Sequence, residues 1–255
     1  MIKRNGIFLG LSLLFILVLG GALLMVAKGD LHLFLCDRHT PFGDIFFRYY
    51  THIAEWFPYI VCISLLLFGR LGDGVFASSA MLGTTLVTQI IKHIVVAPRP
   101  LTWFGQHFPD IQLPLAEGVK MNFWYSFPSG HTTSFFALSF VVCYVATQEL
   151  KDQPVWSAAV QVMLFCLAVL GGYSRIYLSQ HFAFDIFGGT LVGILVSLLC
   201  YAILHRYEDQ KWYNYRVLAK KMRGKVHFFS KKFGHIKKKQ YLCTRFRKRS
   251  NFEGV

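Results

Sequence analysis

From Gly6 to Ala27 the chain carries no charged side chain, and further long apolar stretches recur through to Leu204. In hydrocarbon a backbone must satisfy its own polar groups, so a run of roughly 17–25 apolar residues reads as a membrane-crossing helix. Composition agrees: 54% of residues are hydrophobic and 16% charged, where soluble domains hold about 45–50% and about 25%. A water-soluble globular domain is excluded. The formal charge of +14 suggests a nucleic-acid binder until it is located. Residues 205–255 hold 16 of the 27 Lys and Arg and three of the 13 acidic residues, so the end of the chain carries nearly all the excess.

The expected fold class is all-α: a polytopic membrane protein with six transmembrane helices in a bundle over residues 1–204 and a basic cytoplasmic tail over 205–255. The spans are Gly6 to Ala27, Trp56 to Gly69, Val75 to Val96, His131 to Ala146, Val155 to Tyr173 and Ala183 to Leu204. The first follows Lys3-Arg4 and offers no good small-x-small cleavage site, so it reads as a retained anchor. The second is short, and the apolar part of Phe46 to Ile53 could lengthen it. Leu31 to Tyr50 mixes apolar and charged residues and fits a segment lying along the interface. The positive-inside rule puts both termini in the cytoplasm. The outer segments are then Lys28 to Glu55, Ala97 to Gly130 and Gly171 to Phe182.

Those outer segments hold the chemistry. Lys92 stands about two helical turns before Arg99, and Pro98 and Pro100 break the helix so that Arg99 can fold back toward it. A lysine within a span is costly and marks a partner or a pathway, unless it snorkels from the helix end. Pro128-Ser129-Gly130-His131 suits a helix start whose free amides form an anion site. His181 and Asp185, four apart, would share one helix face, the carboxylate accepting from one imidazole nitrogen and leaving the other as a nucleophile. Each segment alone has an ordinary structural reading; together, cations, two histidines and a carboxylate at the membrane edge ask for an anionic ligand that is attacked.

This pattern resembles that of the type-2 phosphatidic acid phosphatase family, K-x6-R-P, P-S-G-H and S-R-x5-H-x3-D. Here it stands as Lys92, Arg99 and Pro100; Pro128 to His131; and Ser174, Arg175, His181 and Asp185. Every specified position is met, while Ser179 occupies a place where many members have glycine. The resemblance covers the six-helix part and implies a metal-independent lipid phosphatase without cofactor. It implies His181 as the nucleophile forming a phosphohistidine, Asp185 as its orienting carboxylate and His131 as the acid that protonates the leaving oxygen and then activates water. Lys92, Arg99, Arg175 and the amides near Ser129 and Gly130 would hold the phosphate oxygens.

The outer carboxylates Asp30, Asp37, Asp44, Asp110 and Glu117 show no paired arrangement expected of a metal centre, and the six cysteines, of which only Cys36 faces outward, offer no disulfide framework. Aromatics between Leu101 and Phe127, among them Trp103, Phe104, Phe108, Phe123 and Trp124, form either an entry rim for a headgroup or an interfacial belt. For the tail, anionic lipid headgroups are the expected partner and nucleic acid is not; deletion of residues 211–255 is expected to spare catalysis. The expected setting is a bacterial inner membrane, with the site on the periplasmic or outer face. Substrate candidates are undecaprenyl diphosphate, a lipid A phosphate, phosphatidylglycerophosphate and phosphatidic acid. Transfer to a second lipid, a non-catalytic lipid binder and a vanadium haloperoxidase are the competing readings; hydrolysis is preferred.

Overall fold

The computed structural model describes residues 4–216, with the backbone alone at Trp56, Phe57, Pro58 and Phe68. Among the described residues it is all-helical. The helices are α1 (Gly6–Met25), α2 (Lys28–Cys36), α3 (Pro41–Tyr50), α4 (Trp56–Gly69), α5 (Leu71–Val95), α6 (Pro100–His107), α7 (Gly130–Glu149), α8 (Pro154–Tyr177) and α9 (Ala183–Leu204). A 3-10 turn, Thr51–Ala54, joins α3 to α4.

Among the described residues five helices are long and apolar enough to cross a membrane alone, and a sixth span arises if the segments Pro41–Ala54 and Tyr59–Leu67, bent by 44°, are taken as one. The expected short second span is therefore lengthened by the residues just before it. Leu13, Leu17 and Val18 on α1, Leu82, Leu86 and Ile90 on α5, and Leu195, Leu199 and Ile203 on α9 stay exposed, an apolar surface suited to lipid. Inside, α7 packs against α5, α8 and α9 and forms the centre of the bundle. Phe76, Phe136, Phe140 and Ala168 are fully buried around it.

Two of the outer segments are partly helical. Leu31 to Tyr50 forms most of α2 and α3, and Pro100 starts α6 at the first position of a helix, where its missing N–H costs nothing. Helix α8 runs a turn beyond Tyr173 to Tyr177, so Ser174 and Arg175 are helical residues. Cys36, expected to face outward, is fully buried.

At the end opposite the motifs, residues after α9 close the bundle. The backbone carbonyls of Tyr213 and Tyr215 accept from the amides of Gly72 and Leu71, each at 2.9 Å. These first-turn amides of α5 have no acceptor in their own helix. Tyr213 is 1% exposed, and Arg70 binds Asp73 at 2.6 Å and Gln148 at 2.9 Å beside it. The expected tail boundary at residue 205 thus falls inside packed structure, while the basic run from residue 217 lies outside the described residues.

Candidate active site

Glycine brings the two key helix starts together. A Cβ at Gly189 would lie 2.7 Å from the Ser129 carbonyl oxygen, and one at Gly193 would lie 2.8 Å from that of Thr133. Without side chains there, α9 lies directly on the backbone of α7, as small residues four apart allow between membrane helices. The Ser129 amide then donates to the Asp185 carbonyl at 3.0 Å. The N-terminus of α7, with His131, and that of α9, with Asp185, become neighbours.

His181 is not helical, which corrects the expectation of a shared helix face. It lies in the turn between α8 and α9, and Asp185 is the third residue of α9. The turn folds back so that the amides of Gln180 and His181 both donate to the Arg175 carbonyl, at 2.9 and 3.1 Å. It requires Ser179 at φ 48°, in the left-handed region where a side chain costs about 1–2 kcal/mol. Glycine would occupy this position without that cost. Val96 and Tyr125, also at positive φ, flank Lys92 and Arg99 in the same way; such strained positions cluster at functional sites.

The imidazole and carboxylate meet as expected, His181 Nδ1 lying 3.3 Å from Asp185 Oδ2. The same oxygen accepts from the Phe182 amide at 2.9 Å and from the hydroxyl of Ser126. Ser126 Oγ also lies 3.4 Å from His181 Nδ1. His181 Nε2 has no hydrogen-bond partner among the described residues. His181 and Asp185 are 1% and 3% exposed and Ser126 is fully buried, so the group is dry apart from its face toward the site.

Three cations gather around it. Lys92, at the end of α5, donates to the Tyr125 carbonyl at 2.6 Å. Arg99 donates to the Trp124 carbonyl at 3.0 Å and to the Gln180 side chain at 3.0 Å. Arg175 donates through one terminal nitrogen to Thr51 at 2.7 Å, and its buried Nε has no partner among the described residues. Burial, reinforced by the positive charges of Arg99, Lys92 and Arg175, holds the His181 imidazole well below its usual titration range, hence neutral.

Ser129 departs from its expected role. Its hydroxyl accepts from the Thr132 amide as the N-cap of α7, and its amide is engaged with Asp185. The amides of Gly130 and His131 occupy the first turn, where no intrahelical acceptor exists. His131, Arg175 and Gln180 line a cleft with room for about 330 Å³.

Sequence reasoning missed Ser126, Gln180 and Thr51. Ser126 stands two residues before Pro128, and nothing local distinguishes it; its role arises because residues 123–126 run beside 97–99, paired by Ser126 N to Ala97 O at 3.0 Å and Arg99 N to Phe123 O at 2.9 Å. The aromatic loop divides. Trp103 and Phe104 pack inward on Phe182, whereas Phe108, Phe123 and Trp124 stay exposed. Lys28 lies 3.9 Å from the Phe182 ring centroid, clamping the residue after His181. Among the described residues no group of three His, Cys, Asp or Glu side chains is arranged to hold a metal.

A helical membrane bundle that holds a neutral imidazole between a carboxylate and three cations is built for phosphoryl chemistry at a lipid headgroup. The comparisons with known proteins agree. The sequence model of the PAP2 superfamily matches residues 73–209. The chain is 26% identical to the lipid A 4'-phosphatase of Porphyromonas gingivalis over 74% of this chain and 77% of that protein. It is 32% identical to lipid phosphate phosphatase 2 of Arabidopsis thaliana over 68% and 64%. The crystal structure of a transmembrane PAP2 type phosphatidylglycerolphosphate phosphatase from Bacillus subtilis superposes with a TM-score of 0.60 at 24% identity, covering 83% of this chain and all of that one; this shows the common fold. The chain belongs to the PAP2 superfamily, and it is a membrane lipid phosphatase, a hydrolase of lipid phosphate esters.

Proposed function

We propose that this protein hydrolyses a phosphate monoester or terminal diphosphate of a membrane lipid through a phosphohistidine on His181. The observation that carries this reading is the orientation of His181: Nδ1 faces Asp185 and Ser126, while Nε2 is left without a partner among the described residues. The Nε2 lone pair attacks phosphorus as the bond to the lipid oxygen breaks, and Asp185 supports the positive imidazole that results. His131 gives a proton to the departing oxygen, then takes one from the water that cleaves the N–P bond and releases phosphate. Lys92, Arg99, Arg175 and the amides of Gly130 and His131 bind the phosphate oxygens, whose charge must be balanced in the transition state.

Both termini are cytoplasmic in this reading, and the site opens to the outer face of a bacterial inner membrane. The motif segments share one end of the bundle, and the residues around Arg70, Gln148 and Tyr213 share the other, which supports it. The basic tail binds anionic headgroups of the cytoplasmic leaflet.

The test is chemical trapping of phosphorus on the protein. Wild type quenched during turnover of a radiolabelled lipid phosphate should carry acid-labile label that His181→Ala lacks. His131→Ala should lose far more activity on a lipid ester than on an activated aryl phosphate, whose leaving group needs no proton. Activity should survive chelators and be blocked by vanadate. Label retained by His181→Ala would refute the mechanism, and conversion of an acceptor lipid to a new phosphate ester would reassign the enzyme as a transferase. Phosphate release measured across the four candidate lipids assigns the substrate.

A further inference from the structure

The cleft beside the motif residues is larger than one phosphate requires. Its room of about 330 Å³ equals roughly ten water molecules at about 30 Å³ each, while a phosphoryl group has only four heavy atoms. It is lined by His131, Arg175 and Gln180, by Arg48, His52 and Glu55, and by Lys120 and Asn122 of the loop after α6. Of these, only His131 and Arg175 belong to the three motifs.

Arg48 is held in place. It donates through one terminal nitrogen to the Glu117 carbonyl at 3.1 Å, and its guanidinium lies against Gly118, where a Cβ would fall 2.7 Å from its central carbon. Gly118 sits at φ 72°, so glycine serves both the loop and the close approach. The remaining N–H groups of Arg48 and the whole Lys120 ammonium have no acceptor among the described residues. The lining of the cleft holds three cationic residues, Arg48, Lys120 and Arg175, and one carboxylate, Glu55, which already accepts from His52 at 2.7 Å. The charge remaining after the reacting phosphate is bound suits a second anion.

We propose that Arg48 and Lys120 form a second phosphate subsite, so that the enzyme prefers headgroups carrying two phosphates over a lone phosphomonoester. This rests on the reading that the first phosphate reacts at His181. The second phosphate is supplied either by a diphosphate linkage or by the far side of a phosphorylated sugar.

The experiment uses the full-length protein in detergent and two matched pairs: farnesyl diphosphate against farnesyl phosphate, and a bisphosphorylated glucosamine-disaccharide lipid against its monophosphorylated form. Wild type should favour the doubly phosphorylated member of one pair by at least about tenfold in kcat/KM, as expected for added charge-assisted hydrogen bonds; the pair that responds identifies the source. Lys120→Gln and Arg48→Gln should each remove most of that preference through KM and leave the singly phosphorylated member within about twofold. Arg48→Lys, which keeps the charge, should retain part of it. No preference by wild type in either pair, or equal losses on both members, would overturn the subsite. If either overturning result is found while wild type still forms a phosphohistidine that His181→Ala lacks, the subsite alone fails; label retained by His181→Ala would instead show failure of the parent mechanism.

Discussion

Replacing Ser126 with alanine tests whether the catalytic group extends beyond the sequence motifs. Its hydroxyl donates to Asp185 Oδ2 and faces His181 Nδ1 at 3.4 Å. That carboxylate oxygen otherwise has the Phe182 amide at 2.9 Å and the imidazole at 3.3 Å. The substitution leaves a buried charge short of one hydrogen bond and frees the carboxylate to rotate away from the histidine. Hydrogen bonds to charged groups contribute about 1.5–3 kcal/mol, and each 1.4 kcal/mol is tenfold in rate, so kcat should fall by about 10- to 100-fold. The cations proposed to bind phosphate do not touch Ser126, so KM should stay within about twofold. Phosphate release from a short-chain lipid substrate in micelles gives both constants, and size-exclusion behaviour and the thermal midpoint confirm a folded variant. A folded Ser126→Ala protein with kcat within twofold of wild type would exclude Ser126 from the group that supports His181. A raised KM at unchanged kcat would move Ser126 from the histidine to the substrate.

Three further outcomes are expected. Gly189→Ala sets a methyl against the Ser129 carbonyl, which cannot rotate away as a side chain could; separation of α7 from α9 should lower stability by about 1–3 kcal/mol and cut kcat by about 100-fold, and wild-type activity would show that the helix contact does not position His131. The pKa of His32, which is fully buried with neither ring nitrogen paired among the described residues, is pushed down to about 4 by burial. Because the unfolded chain takes up this proton near pH 6.5 and the folded protein does not, stability is complete above that pH and falls toward pH 4, by about 3 kcal/mol overall; His32→Leu should flatten this acid drop in the thermal midpoint, and an unchanged slope would remove His32 as its source. Relative to truncation after Arg216, truncation before Lys211 removes buried Tyr213 and the two carbonyls capping α5, costing about 3–5 kcal/mol from the lost burial and hydrogen bonds; equal thermal midpoints for the two would show that this strap contributes nothing.

Much of the site was legible because its chemistry is written in residue types. A lysine in an apolar span, paired prolines around Arg99 and the order of His181 and Asp185 each carry a local physical meaning. The local geometry was read less well. Four-residue spacing suggested a helix for His181, but the true contact is made by a turn that doubles back onto the Arg175 carbonyl, with Ser179 in a conformation that spacing cannot express. Ser129 looked like a phosphate ligand, yet a serine before a helix is equally an N-cap, and only the neighbouring Asp185 carbonyl decides where its amide goes.

Residue order alone was enough to assign the solvent of this protein, since long uncharged stretches tolerate only helices in lipid, and to nominate candidate reactive groups through the acid–base properties of the motif residues. Tertiary structure alone decided which ordinary residues serve them. Ser126, Gln180 and Thr51 matter because distant backbone is brought within hydrogen-bond range, Gly189 and Gly193 because another helix lies on them, and Tyr213 because it covers the start of α5. Such roles depend on three-dimensional proximity between segments far apart in the chain, a quantity that no local pattern of residues encodes.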